Sequence, residues 1–198
     1  PPASGAPVLG GDFRIAAPNG IHFHPPGGLL LPSEARTTTM DLSDRLVEHD
    51  HWHTVRLLEQ AATLSEADLD RQVRPGFVIH AFEGPEPDVR TMLDRLVFTK
   101  EVWTAAIGGR DFPIDRDRSI AGQQARLAAV QPQFSALVRR IRDRNHWDDV
   151  FVDALCTPPV SFTFGSVIAH ILTVGVVRRQ TVIEGLRDLG VKSSENQD

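Results

Sequence analysis

The chain has 198 residues, 41% of them hydrophobic, and a net charge of −5 with acids and bases mixed along its length. That size and apolar content suit one domain with a sizeable core. The scattered arginines, interleaved with Asp, form no basic footprint for a nucleic acid, and a single cysteine, Cys156, excludes an internal disulfide.

Residues 1–38 are rich in Pro and Gly and have no helical period. Within this arm, Phe13, Ile15, Ile21 and Phe23 alternate around Pro18-Asn19-Gly20, which predicts a short β-hairpin. His22 and His24 then share one strand face, but two ligands do not make a metal site. Pro1-Pro2-Ala3-Ser4-Gly5 lacks the charged and apolar regions of a signal peptide. No apolar run reads as long enough to span a bilayer. The expectation is a cytoplasmic protein with no membrane partner.

Residues 39–190 read as helical. The first segment covers 41–64, with Asp41 or Ser43 as N-cap, and a short extra turn follows at 65–68. A Pro/Gly-rich loop occupies 72–87. The second long segment covers 88–107 and stops at Gly108-Gly109. The third covers 119–145, where Pro132 is expected to kink or divide it. Residues 146–162, with Pro158-Pro159, have no clear type; Phe151 to Cys156 form a hydrophobic run in which a buried, inert thiol is expected. The fourth segment covers 164–189 and ends at Gly190, and 191–198 read as a disordered tail. Four long amphipathic segments joined by loops predict an all-α fold, an antiparallel four-helix bundle. Its core should include Leu46, Leu57, Leu96, Trp103, Leu127, Leu137, Val167 and Ile171.

His49-Asp50-His51-Trp52-His53 lies inside the first segment. His49 and His53 continue the stripe of Leu42, Leu46 and Leu57, since residues three or four apart share a helix face. Two imidazoles on a core-facing stripe require a partner there: each other, a carboxylate, a metal or a ligand. Trp52 and Trp103 read as core aromatics first and pocket walls second. Lys100 and Glu101 read most simply as a surface pair.

Three stretches together resemble the DinB/YfiT-like superfamily of four-helix bundles. They are His49-Asp50-His51-Trp52 with Arg56-Leu57-Leu58-Glu59; Leu96 through Trp103; and Phe151 through Cys156 with Phe162-Thr163-Phe164-Gly165 and Ala169-His170-Ile171-Leu172-Thr173. The resemblance covers about residues 41–190. It implies a pocket at one end of the bundle. In many members a divalent metal sits there, held by one His of the second long helix and two of the fourth, and some transfer low-molecular-weight thiols. In this chain those positions fall on Arg95, Val174 and Arg178, with Val177 beside them; only His170 remains on the last helix. Val has no donor atom, and Arg has no lone pair to offer a metal.

Three functions stay open at this point. The first is a metal-independent tailoring enzyme of isomerase, cyclase or lyase type. In it His49, His53, His170 and Glu101 move protons, and Arg95 or Arg178 binds an anionic oxygen beside Trp52 and Trp103. No cofactor is expected in that case. The second is a thiol transferase with zinc or nickel relocated to His49, His53 and His170. The third is a non-catalytic module that binds a small molecule, confers resistance or forms a homodimer. An arginine turned into a bundle end must be paired, and Glu101 is the one acid in obvious register.

Overall fold

The computed structural model describes residues 40–80, 83–110, 115–153 and 158–192. The expected N-terminal hairpin with His22 and His24, the thiol of Cys156 and the tail beyond residue 192 lie outside the described residues.

The fold is mostly helical, with one small sheet. In chain order the elements are α1 (Leu42–Ala61), α2 (Glu66–Leu69), α3 (Val89–Ile107), α4 (Ile120–Asp143), β1 (Val150–Asp153), β2 (Val160–Thr163) and α5 (Phe164–Asp188). Every helix starts on a polar cap. Asp41, Ser65, Asp88, Ser119 and Thr163 each accept from the backbone N–H three residues on, satisfying a donor that has no partner within the helix. Three helices end in the same way. After α3 and α5 the chain turns left-handed at Gly109 and Gly190, and Val191 N–H reaches back to the Leu186 carbonyl. Asn145, at φ 53°, does the same for α4.

The segment of unclear type, 146–162, carries the antiparallel strand pair β1–β2, which runs on to Thr163 and sets Phe151 opposite Phe162. Its aromatics pack on Trp103, which is therefore partly buried rather than a full core residue.

α1 packs on α4 and α5, and α3 packs on the same two. The core they enclose is in two parts. One holds Leu57, Leu58, Ala61, Met92, Leu93, Val97, Leu127, Val130, Val182 and Leu186 among others. The other holds Val47, Phe134, Leu137, Val138, Ile141, Val167, Ile168 and Ile171. α1 and α5 meet the second cluster near their N-terminal ends and the first near their C-terminal ends, whereas α3 and α4 do the reverse. Between the clusters each long helix contributes a buried polar side chain: Asp50, Lys100, Gln131 and Arg179.

That polar layer explains where the sequence-based faces fail. α1 buries Asp44, Val47, Asp50, Thr54, Leu57 and Leu58, so its inner face is turned away from the anticipated stripe. Leu46 is 46% exposed, Trp52 is exposed, His49 is exposed and His53 only partly covered. Similarly, α5 turns Val167, Ile171, Gly175, Arg178 and Val182 inward and leaves Val177 out. Hydropathy alone places Asp and Arg outside. Here they go inside because each meets an opposite charge from another helix or loop.

α5 is, among the described residues, the one helix long and apolar enough to cross a membrane by length and composition. The expectation that no run reaches that length is corrected on this criterion. The helix packs on α1 and α3 and buries two arginines, as a core helix does.

Pro132 neither divides nor ends α4, which runs unbroken from Ile120 to Asp143. The ring still removes one backbone donor from the middle of the helix. Pro132→Ala is therefore expected to raise the free energy of unfolding by about 1–3 kcal/mol, measured by urea titration. A lower midpoint in the variant would show that the ring's packing outweighs its backbone cost.

Candidate functional site

The buried layer is a closed ionic network. The Asp50 carboxylate accepts from Lys100 Nζ at 2.6 Å through Oδ2 and from the Arg179 guanidinium through Oδ1. Lys100 also donates to Gln131 Oε1 at 2.9 Å and stands 5.5 Å from the centre of the Phe134 ring. Lys100 is thus a core residue and not the surface residue its neighbour Glu101 suggested. Gly175 stands close opposite: a Cβ there would make tight contacts, 3.0 Å from Asp50 Oδ1 and 3.1 Å from Arg179 Nη1. Burial pushes the Asp50 carboxyl up, but Lys100 and Arg179 outweigh it and hold the group below its ordinary value. With every strong group paired, this layer is architecture.

A second polar cluster lies where α3, α5 and the loop of residues 72–87 meet. Arg178, 1% exposed, donates through Nε to both oxygens of Glu86 and through Nη1 to Thr99 Oγ1 at 2.7 Å, while Nη2 reaches Glu83 and Glu86. The expectation that Glu101 is the acid available to the arginines is corrected: the acids come from the loop. Arg95, one helical turn before Thr99, donates to the backbone carbonyl of Glu83 and makes no carboxylate pair among the described residues. Burial, opposed by Glu83, lowers the pKa of Arg95.

His170 borders the same cluster. Its ring lies 5.2 Å from that of His80 and 6.2 Å from that of Trp103, centre to centre. The hairpin supplies Phe151 and Phe162 to the other edges of Trp103, each at 6.1 Å. Burial first, then His80, pushes the His170 pKa below 6.5; Glu83 pulls the other way. Both causes favour the neutral imidazole, the form that has a lone pair to use.

The other residues singled out in the sequence fall elsewhere. His49 and His53 face each other, Nε2 to Nε2, at 2.9 Å on the outer side of α1. Trp52 stands edge-on to His53 at 4.7 Å and carries Arg56 over its face at 5.6 Å. Burial lowers the His53 pKa, with His49 and Arg179 adding to the effect. Glu101 accepts from Arg126, which also binds the buried Asp94, beside Arg116. The sequence-selected residues thus separate into three places. Among the described residues no three His, Cys, Asp or Glu side chains are grouped to hold a metal.

The donor set bears on the metal implied by the resemblance. Arg95, Val174 and Arg178 are the residues to which that resemblance would assign its ligands, and none of the three side chains has a lone pair for a cation. Arg178 already supplies a positive centre there, with two carboxylates around it. These residues do not fit the group.

Sequence reasoning missed Asp50, Lys100, His80, Glu83 and Glu86. For the loop acids a signal did exist. Arg178 and Arg179 stand in the middle of an apolar helix, and buried guanidinium groups require carboxylates from distant parts of the chain. For His80, in a loop with Pro and Gly around it, nothing local points inward. Set beside known proteins, the chain matches no family model, no curated protein and no solved structure.

Proposed function

We propose that the chain is a DinB-like four-helix bundle, with α1 and α5 antiparallel to α3 and α4, that performs metal-independent acid–base chemistry on a small molecule. The reacting corner is that of His170, His80 and Trp103, beside Glu83 and Arg95. The observation that carries this reading is the grouping of the His170 ring with those of His80, at 5.2 Å, and Trp103, at 6.2 Å. His170 takes the proton from a carbon or oxygen acid. Arg95, half-buried and without a carboxylate partner among the described residues, donates to the oxyanion that forms. Trp103 and the hairpin phenylalanines form an apolar wall for the rest of the substrate. Arg178 acts through position: it ties the loop carboxylates to α5 and Thr99, and so fixes Glu83 and the loop that carries His80.

The test is proton exchange. The protein is incubated in D2O with a panel of small ketones, β-keto acids and β-keto esters, and deuterium incorporation is followed by NMR. Exchange should exceed that of buffer for at least one class. His170→Gln should lower it by about 10²–10⁴-fold, the usual contribution of a general acid or base. Exchange equal in His170→Gln and wild type would remove His170 from the chemistry. Binding of a panel member without exchange would favour a non-catalytic module. Exchange that appears only with added zinc or nickel would restore the metal-dependent alternative.

A further inference from the structure

The outer side of α1 has the geometry of a metal chelate. His49 and His53 stand one helical turn apart there, His49 exposed and His53 partly covered, and their Nε2 atoms are 2.9 Å apart. The backbone beneath them is fixed, because each histidine is followed by a buried, anchored residue. Asp50 is tied to Lys100 and Arg179, and the Thr54 hydroxyl donates to the Asp50 carbonyl at 2.7 Å. On the flank, the Trp52 ring stands edge-on to His53 at 4.7 Å.

A straight N–H···N bond between two imidazoles set end to end would place the ring centres roughly 5 Å apart. Here they are 4.3 Å apart, with the planes at 65°. The two nitrogens are therefore not both aimed along the line that joins them, and an ion beside that line can take both lone pairs. The separation also selects the ion. Nitrogens about 2.0–2.1 Å from one metal lie about 2.9 Å apart at a right angle and about 3.4 Å apart at the tetrahedral angle. The right angle belongs to square-planar and tetragonal ions, Cu(II) and Ni(II), rather than to zinc. Two imidazoles do not complete a zinc site, whereas a tetragonal ion fills its remaining positions with water.

We infer that His49 and His53 form a two-imidazole chelate for a tetragonal divalent cation of the Cu(II) type on the exposed face of α1. The ring that holds its proton on Nε2 takes the other tautomer, with the proton on Nδ1. Both rings then stay neutral, and both Nε2 lone pairs go to the ion. The site is independent of the acid–base corner: His170 lies against His80 and Trp103 and supplies no ligand to it. Among the described residues no third His, Cys, Asp or Glu joins the pair, so the chelate stands on these two side chains.

The probe is Cu(II) itself, added at pH 7 to the tag-free full chain carrying His22→Ala and His24→Ala, which removes the His-x-His of the N-terminal arm. One equivalent should give an electron paramagnetic resonance spectrum split by two equatorial nitrogens. Adding His49→Ala or His53→Ala should reduce the splitting to that of one nitrogen. Either change should weaken Cu(II) binding by about 10²-fold, since the second imidazole no longer joins within the molecule. Both side chains lie outside the core, so the helical circular dichroism should not change. Cu(II) should also quench tryptophan fluorescence, and Trp52→Phe should remove most of that quench. Zinc at equal concentration should not displace the copper. A spectrum without two-nitrogen splitting, a Cu(II) affinity unchanged in either single-histidine variant, or a quench unaffected by Trp52→Phe would each overturn the proposal. So would displacement of copper by an equal concentration of zinc.

Discussion

Replacing Asp50 by Asn should cost about 3–5 kcal/mol of folding stability, the usual penalty for breaking a buried ion pair from one side. The carboxylate is the common partner of Lys100 and Arg179, all three buried between the two halves of the core. Asparagine keeps the shape but leaves two cations without a counter-charge. Adding Lys100→Met and Arg179→Met should recover most of the loss, because an apolar layer of similar volume avoids the desolvation altogether. Urea denaturation at pH 7 reads both effects. A single variant within about 0.5 kcal/mol of wild type, the range of ordinary surface substitutions, would contradict this account of the layer.

The same residue sets part of the acid limb. In the folded chain the Asp50 carboxyl lies below its ordinary 3.8, so the unfolded chain binds that proton more readily. Its contribution is complete above the unfolded value and is lost as pH falls through the folded one. Wild type should therefore lose stability as pH drops below about 4, and Asp50→Asn should do so less steeply. Asp94, lowered by Arg116 and Arg126 against its burial, keeps the variant's limb from being flat. Parallel slopes in the two proteins would show that Asp50 does not contribute.

Loss of Glu86 should be about as severe. Its carboxylate is fully buried and receives Arg178 Nε and Nη2. Glu86→Gln leaves a buried guanidinium with Glu83 as its remaining acid, at an expected cost of about 3 kcal/mol. Arg178→Met strands the carboxylates instead. The decisive measurement is the double variant: the two single losses should exceed the combined one by about 1–3 kcal/mol, the coupling of residues in direct contact. Additive losses would mean that the pair is not formed in solution. Because Glu86 holds the loop of residues 72–87 to Arg178 of α5, the single variants should also be cleaved faster by protease within that loop. Deuterium exchange at the His170 corner should fall with them, since His80 and Glu83 arrive on that loop.

Much of the fold was legible in the chain. α1, α3, α4 and α5 begin and end within a few residues of the expected limits. Asp41 and Ser119, and Gly109 and Gly190, encode those limits through hydrogen bonds that span only three to five residues. Leu57, Leu96, Leu127, Leu137, Val167 and Ile171 are buried as expected, because aliphatic side chains at helical spacing have no competing place to go. What local pattern did not contain is the rotation of α1 and α5 about their axes. Hydropathy rates Asp50, Lys100, Arg178 and Arg179 as surface residues. Their burial becomes favourable only when partners from separate helices and the 72–87 loop meet, and that is a property of the assembled fold. The same rotation moved His49, His53 and Trp52 to the outside and left His170 to meet His80. Sequence periodicity thus determined which segments are helices and which aliphatic residues they bury; the pairing of charges across the fold decided which imidazoles face an interior, because electrostatic neutralisation acts between residues that no short window of sequence contains.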